Sequence, residues 1–447
     1  VKNKQPLNPS KYIIGFFLFS LLLAVAGLGK ILNLLYPAGA LGLAWIFYKK
    51  HPLAYVTFSW WLLFVTPFIR RVSDYNGSFT DPSPMLLAPF LATIITLVTV
   101  YENIPLMLSS AGLPFFLAFI GIGYGYLTSI VQTSPVTATI AVLTWISPII
   151  FSFHVFSKWR DYPLYKKNTE RLFLWAVLIT GSYGVYQYLV APDWDTYWLI
   201  QTGLFTSMGS PEPMGLRVWS TMHSPLPFAT TMIGGLIILF ISRSPLRLPA
   251  SGVGYLSILL TSVRTSWLGW FISFVVLSVS VKSTHQVRLI MTVASMAIFV
   301  VPLATVPPFA EMISARLGSF SNMEDDNSLN ARQHLYEKTL KEALGTIIGN
   351  GIGSSGPGFD SGFLDLLISL GWLGFLPYIA GIAFIFMSVY MGNESSFDPF
   401  VAACRAIISG IFPMLLGGSV MVSLSGITFW YFAALNLSAK MYYNRKN

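Results

Sequence analysis

Long apolar runs, separated by short polar loops, organise this chain. They fall at about 12–29, 31–48, 52–69, 85–101, 105–130, 136–157, 172–191, 226–242, 250–263, 265–281, 289–306, 361–390, 403–418 and 424–440. A helix of about 20 apolar residues crosses the hydrocarbon core of a bilayer and satisfies its own backbone there, where no water can. The pattern predicts an all-α, polytopic membrane protein with roughly 12 to 14 such helices, the shorter runs being tilted, paired or re-entrant. No alternating ten-residue pattern marks the strands of a barrel.

One long polar interval, 307–360, interrupts this alternation. Within it Ser328 or Asn330 supplies a side-chain oxygen for the free amides of a first helical turn, and the helix runs to about Ile347. Leu329, Arg332, Tyr336, Leu340, Ala343 and Ile347 recur at helical spacing on one face, whereas His334, Lys338 and Lys341 point elsewhere. Arg332 therefore sits in an apolar stripe that should pack on the membrane body. It is either a snorkelling side chain in a local ion pair or one aimed at an anionic ligand.

Composition removes the soluble alternatives. With 54% hydrophobic and 10% charged residues and a mean hydropathy of +0.65, the chain has too little polar surface to coat a globule. Its 34 Phe, 21 Tyr and 13 Trp suit helices with interfacial ends. The single cysteine, Cys404, allows no intrachain disulfide, so outer loops must order by packing. Lys2, Lys4 and Lys11 flank a first apolar run without a clear A-x-A cleavage site, which reads as a membrane helix.

The net charge of +9 comes from lysines and arginines spread through short loops, a positive-inside pattern and not a nucleic-acid surface. Lys49-Lys50, Lys158 to Arg171, Arg243 to Arg247, Lys282 to Arg288 and Lys440 to Lys446 fall on one side when the spans alternate. That side is expected to be cytoplasmic, with both termini, leaving 192–225 and 307–360 outside. Four parts result: an N-terminal bundle over 1–170, core helices over 171–306 with the outer loop 192–225, the outer loop 307–360 with its helix 328–347, and C-terminal helices over 361–447.

Six of the nine basic residues left outside are arginines, against seven of eighteen inside. The planar guanidinium fork matches phosphate, whereas lysine acts as a hydrated point charge, so the bias fits a site for a phosphorylated lipid. Arg70 and Arg71 follow TPFI, where Asp74 or Asp81 can neutralise them. Arg217 in GLRVWSTMHSP and Arg264 in TSVRTSW are flanked by apolar sequence without an obvious counter-ion. An isolated arginine costs on the order of 2.5–3.5 kcal/mol at a helix centre, so it meets either lipid headgroups or a bound anion.

Other polar groups carry less. The five histidines are scattered and no H-E-x-x-H occurs, so no metal array is visible. Asp193-Trp194-Asp195 reads as a turn and interface anchor, and Glu324-Asp325-Asp326 as the lead-in to the loop helix.

Taken together and in order, several short motifs resemble the O-antigen ligase and polymerase-like membrane proteins over roughly Arg171 to Met391. They are Arg217-x-x-Ser220-Thr221-x-x-x-Pro225, Ser262-Val-Arg264 opening a helix, and Arg332 ahead of Gly349-Asn-Gly351-Ile-Gly353. The series closes on Asp360-Ser-Gly-Phe363-Leu364 and Gly371-Trp-Leu-Gly374. The resemblance implies a GT-C-type glycosyltransferase that needs no metal or other cofactor and works at the outer face of the bacterial inner membrane. Its donor would be a glycan on polyprenyl (undecaprenyl) diphosphate, its acceptor a saccharide or lipid A-core, its surroundings membrane lipid and envelope-assembly proteins.

The family's ligases often carry His-Asn where this chain has Asp360-Ser361, which points toward a polysaccharide polymerase. Leu226 also replaces the usual Asn after the family proline.

On this resemblance, Arg217 and Arg264 would stabilise the charge that grows on the departing diphosphate. Arg332, Arg70, Arg71, Ser220 and Thr221 would help bind the diphosphate or the glycan. Asp360 would orient or deprotonate the acceptor hydroxyl, or else cap the loop beside Gly351 to Gly358, whose glycines could close over the sugar. Two other classes stay open: a transporter or flippase of the same lipid-linked glycan, which tends to show repeated halves, and an envelope scaffold, which needs neither Arg217 nor Arg264.

Overall fold

The computed structural model describes residues 9–281, 339–354 and 361–446, with isolated positions between 286 and 310. Among them the protein is all-helical, without a strand; one isolated antiparallel bridge joins Gly209 and Leu216. We number the helices α1 (Pro9–Val25), α2 (Gly29–Lys50), α3 (Pro52–Asn76), α4 (Pro84–Glu102, in short pieces), α5 (Leu113–Gln132), α6 (Pro135–Ser157) and α7 (Tyr162–Val190). There follow α8 (Asp193–Thr202), α9 (Pro225–Ile241), α10 (Arg247–Leu260), α11 (Arg264–Ser280), α12 (Gly362–Tyr390), α13 (Pro399–Ile411) and α14 (Ser423–Lys446).

Among the described residues eight helices are long and apolar enough to cross a membrane: α2 to α7, α12, and α13 with its extension to Gly417. The protein is a multi-pass membrane protein on that ground. The apolar runs gave a larger number because α1 and α9 are shorter apolar helices, α10 and α11 have 14 and 17 residues, and α14, although 24 residues long, is not apolar enough. The run at 289–306 lies almost wholly outside the described residues.

Local chemistry sets where the helices begin. α1, α3, α4, α6, α9 and α13 open on proline, which lacks the amide that a first turn would leave unpaired and already holds a helical φ. Ser134 and Asp398 accept side-chain cap bonds from Thr137 and Phe400 at the starts of α6 and α13.

The basic stretch from Lys158 to Arg171, expected as a loop, is mostly the first turns of α7. It is helical because its polar residues find partners. Lys166 Nζ lies 2.8 Å from Asp398, which also accepts from the hydroxyls of Tyr162, 2.8 Å, and Tyr443, 2.9 Å. Burial pushes the Asp398 carboxyl up, but the Lys166 bond and charge, the Tyr162 hydroxyl and the Phe400 amide outweigh it and hold the pKa below the usual carboxylate value.

The chain forms two compact units. The first comprises 1–95 and 183–225. In it α3 packs against α1, α2 and α8. The Tyr36 and Thr66 hydroxyls pair at 2.8 Å and the Tyr55 hydroxyl reaches the Ala92 carbonyl at 2.8 Å.

The second unit comprises 96–182 and 226–447. Its helices pair closely through small residues: α5 with α12 at Gly121 and Gly374, and α11 with α13 at Gly269 and Gly410. In each pair a Cβ on one glycine would strike the other's carbonyl.

In α12 the helical path breaks at Gly371, whose φ is 60°. The break frees backbone groups, and the segment 346–352 satisfies them. Asn350 and Gly351 amides donate to the Ile368 and Ser369 carbonyls at 2.8 and 3.1 Å, and the Trp372 amide donates to the Thr346 carbonyl at 3.2 Å. Ser129 and Gln132 of α5 hold the same segment by donating to the Ile352 and Gly349 carbonyls at 2.6 and 2.9 Å. Of the stretch Gly351 to Gly358 expected to close over the sugar, Gly351 is held to α12 by its amide, Gly351 and Gly353 have φ of 82° and 81°, and 355–358 lie outside the described residues.

The amphipathic loop helix is described only from 339, where it ends at 345 and not at Ile347. Ala343 is buried as the stripe required, but Ile347 is exposed, because the chain has already left the helix to fill the break in α12.

Candidate functional site

In the first unit two arginines expected at a phosphate site lie inside α3, past the point where the apolar run ends. Arg70 is buried, forms an ion pair with Asp74 at 2.6 Å, and donates to the Thr80 carbonyl at 2.7 Å. Asp81 lies farther off, at 3.8 Å. The i, i+4 spacing places Asp74 on the same helix face as Arg70, so this partner was readable from sequence.

The partner of Arg71 was not. Its Nε donates to Asp195 at 2.5 Å, Nη1 to the Met222 carbonyl at 2.7 Å and Nη2 to the Ser220 carbonyl at 2.5 Å. Arg71 and Asp195 are both fully enclosed, with side-chain exposures of 1% and 0%. A charge so placed needs a paired and hydrogen-bonded partner. Arg70 and Arg71, expected to help bind the diphosphate or the glycan, are each engaged in an interior ion pair.

Asp195 changes its meaning accordingly. The Asp193-Trp194-Asp195 triplet is the first turn of α8 and not a turn between helices, and its carboxylates complement the helix N-terminus. Asp195 Oδ2 accepts from the Tyr183 hydroxyl at 2.8 Å and Gln187 Nε2 at 2.7 Å, while Trp194 donates to Tyr183 at 2.7 Å. Asp195 and Gln187 are the functional candidates that sequence reasoning missed in this unit.

The loop from 203 to 224 carries Arg217, Ser220 and Thr221. Arg217 is half-buried; its amide donates to the Met208 carbonyl and its Nη1 to the Ser207 carbonyl, both at 2.9 Å. Ser220 and Thr221 are buried, so neither hydroxyl faces solvent, and Thr221 Oγ1 has no hydrogen-bond partner among the described residues. Ser220 has a φ of 55°, in the left-handed region.

The ring of His223, next along, lies 5.8 Å from the Trp198 ring. Desolvation by the surrounding protein, then the Arg70 and Arg71 charges, pull its pKa down to about 4.

In the second unit Arg264 is the first residue of α11, as the Ser262-Val-Arg264 pattern anticipated, and it is half-buried. The start of α11 shares a turn with the starts of two other helices. A Cβ on Gly417 would meet Thr265, one on Gly418 would meet Leu226 of α9, and one on Gly362 of α12 would meet Gly418 and Ser419. Ser419 donates to Asp365 Oδ2 at 2.5 Å, and Ser369 to Oδ1 at 3.4 Å. Three helix N-termini and the Asp365 carboxylate thus gather at the 417–419 turn, and Arg264 is the first residue of one of those helices. Helix N-termini present unpaired amides and positive potential, which suit an anion.

Of the remaining expected site residues, Arg332 and Asp360 lie outside the described residues. Arg217 belongs to the first unit and Arg264 to the second. Among the described residues no group of three or more His, Cys, Asp or Glu is placed to hold a metal ion. No protein-family model matches the sequence, and no curated protein or solved structure matches it either.

Proposed function

We propose that this protein is a membrane glycosyltransferase of the O-antigen ligase and polymerase type, which transfers glycan from a polyprenyl diphosphate to a saccharide acceptor at the outer face of the bacterial inner membrane. The polymerase reaction is favoured over transfer to lipid A-core because Asp360-Ser361 stands where ligases often carry His-Asn. The observation that carries the proposal is the gathering of the α9, α11 and α12 N-termini on the 417–419 turn, with Arg264 and Asp365 beside it.

The chemistry follows from those groups. The acceptor hydroxyl attacks the anomeric carbon, the bond from that carbon to the diphosphate oxygen breaks, and the electron pair leaves with the diphosphate. In the second unit Arg264 and the neighbouring helix amides take up the charge that develops on the leaving group; for Arg217, in the first unit, the role at a diphosphate rests on the family resemblance alone. The acceptor proton passes to a carboxylate, for which Asp360 is the sequence candidate. Transport of the same lipid would need none of these bond changes.

The test is turnover of a polyprenyl-diphosphate glycan by the purified protein, read as free polyprenyl diphosphate and extended or transferred glycan. Wild type should release both products, and Arg264→Ala should lose at least about 10²-fold in kcat, the scale expected for one charge-stabilising donor. Arg264→Lys should recover part of it. No release by wild type with any saccharide acceptor would remove the proposal.

A further inference from the structure

The segment that bears Arg217 is clamped from two helices. Arg71 of α3 takes the Ser220 and Met222 carbonyls at 2.5 and 2.7 Å. Gln187 of α7 accepts from the Trp219 and Ser220 amides at 3.1 and 2.8 Å. Both amide and carbonyl of Ser220 are therefore spoken for, and its left-handed φ of 55° persists because the surroundings impose it.

On the other side of Arg217, the Met214 amide donates to the Tyr188 carbonyl at 2.7 Å. Arg217 lies between these two fixed points, five residues of chain that have little freedom left. Asp195 ties the clamp together by accepting from Arg71 and Gln187 at once, so α3, α7 and α8 act on the loop as one body. Arg71 and Asp195 are shut off from solvent, hence neither meets a substrate.

We infer that Arg71, Asp195 and Gln187 form a positioning network that sets the path of the loop, and through it the aim of the Arg217 guanidinium at the diphosphate of the donor lipid. The aim at a diphosphate rests on the glycosyl-transfer proposal; the clamp on the loop does not. A charge-stabilising donor works only if it is already in place when charge develops. A displacement of about 1 Å at such a group costs on the order of 10²-fold in rate. The flexible Arg217 side chain gains that accuracy from a backbone that cannot shift.

Two substitutions test this from opposite sides of the loop. Arg71→Lys keeps a cation beside Asp195 but cannot reach both carbonyls in a fork. Gln187→Met keeps volume in α7 and releases the two amides. Hydrogen exchange is read at the amides of 217–222, with those of α5 and α12 as internal controls, alongside kcat and KM for a polyprenyl-diphosphate glycan.

In both variants exchange at 217–222 should accelerate about 10-fold or more while the controls keep wild-type rates, the mark of local and not global opening. Turnover should drop by about 10²-fold in kcat with donor KM nearly constant, because a transition-state contact has been lost. Unchanged exchange at 217–222 overturns the clamp whatever the activity. Accelerated exchange with wild-type kcat overturns the positioning of Arg217 and leaves the clamp as a fold element. Accelerated exchange in the variants, when wild type itself turns over no donor, overturns the glycosyl-transfer proposal and with it the diphosphate aim.

Discussion

Arg71 carries a full charge where no water reaches it, and its three bonds show how such a charge is kept. The pair with Asp195 repays its desolvation only while both members and their hydrogen bonds remain. Either Arg71→Met or Asp195→Leu alone should cost about 3–5 kcal/mol, since each strands the other charge. Making both changes should cost less than either. The shift in thermal midpoint of the detergent-solubilised protein reads this directly, and additive losses in the double variant would mean that the two residues do not act as a pair.

At the same scale His223 makes a pH prediction. Its pKa is about 4 in the folded protein against about 6.5 unfolded, so between those values the unfolded chain binds a proton that the folded chain refuses. The stability it contributes is complete above pH 6.5 and is lost as pH falls toward 4. His223→Gln should flatten that part of the profile of thermal midpoint against pH. An unchanged slope would show that neither burial nor the neighbouring guanidinium groups hold this ring neutral in the folded protein.

At the scale of elements, the informative feature is the broken helix α12. Gly371 takes a left-handed φ, and a Cβ there would strike the backbone of Ile347, Ile348 and Gly349. Gly371→Ala should therefore destabilise by more than the roughly 1–2 kcal/mol that a left-handed conformation costs an L-residue, because the inserted segment must also retreat. Ser129→Ala, which removes only the bond to Ile352, should cost about 1 kcal/mol. Equal effects of the two changes in thermal unfolding would mean that the segment yields easily and does not brace the break.

Sequence could foretell one half of this arrangement. The apolar runs and the Arg70 to Asp74 spacing are local features, and each fell near its place. What joins Gly349 to Gly371, or Arg71 to an aspartate 124 positions away, depends on which helices become neighbours. No local pattern encodes that. The same limit turned Asp193-Trp194-Asp195 into a supposed turn: the residue that defines Asp195 lies on another helix.

At the scale of the whole molecule, alternation of the spans sorts the polar ends into two sets. One holds the starts of α9, α11 and α12 with the 417–419 turn; the other holds the starts of α7 and α13 with the end of α14. Within the second unit the contacts join members of each set to one another: Leu226, Thr265 and Gly362 around 417–419, and Tyr162, Lys166 and Tyr443 around Asp398.

The second set is also the basic one, with Lys158, Arg160, Lys167, Lys440 and Arg445, and positive charge marks the cytoplasmic side. The loop with Arg217 should then face outward. Cys404 is the only cysteine and is buried, so Cys404→Ala gives a silent background for a single introduced thiol. In that background, an impermeant maleimide added to intact cells should label Glu212→Cys at once and reach Arg160→Cys only after permeabilisation, both positions being exposed. The reverse order would turn the membrane around and place Arg217 and Arg264 on the cytosolic side, where a donor in the outer leaflet could not meet them.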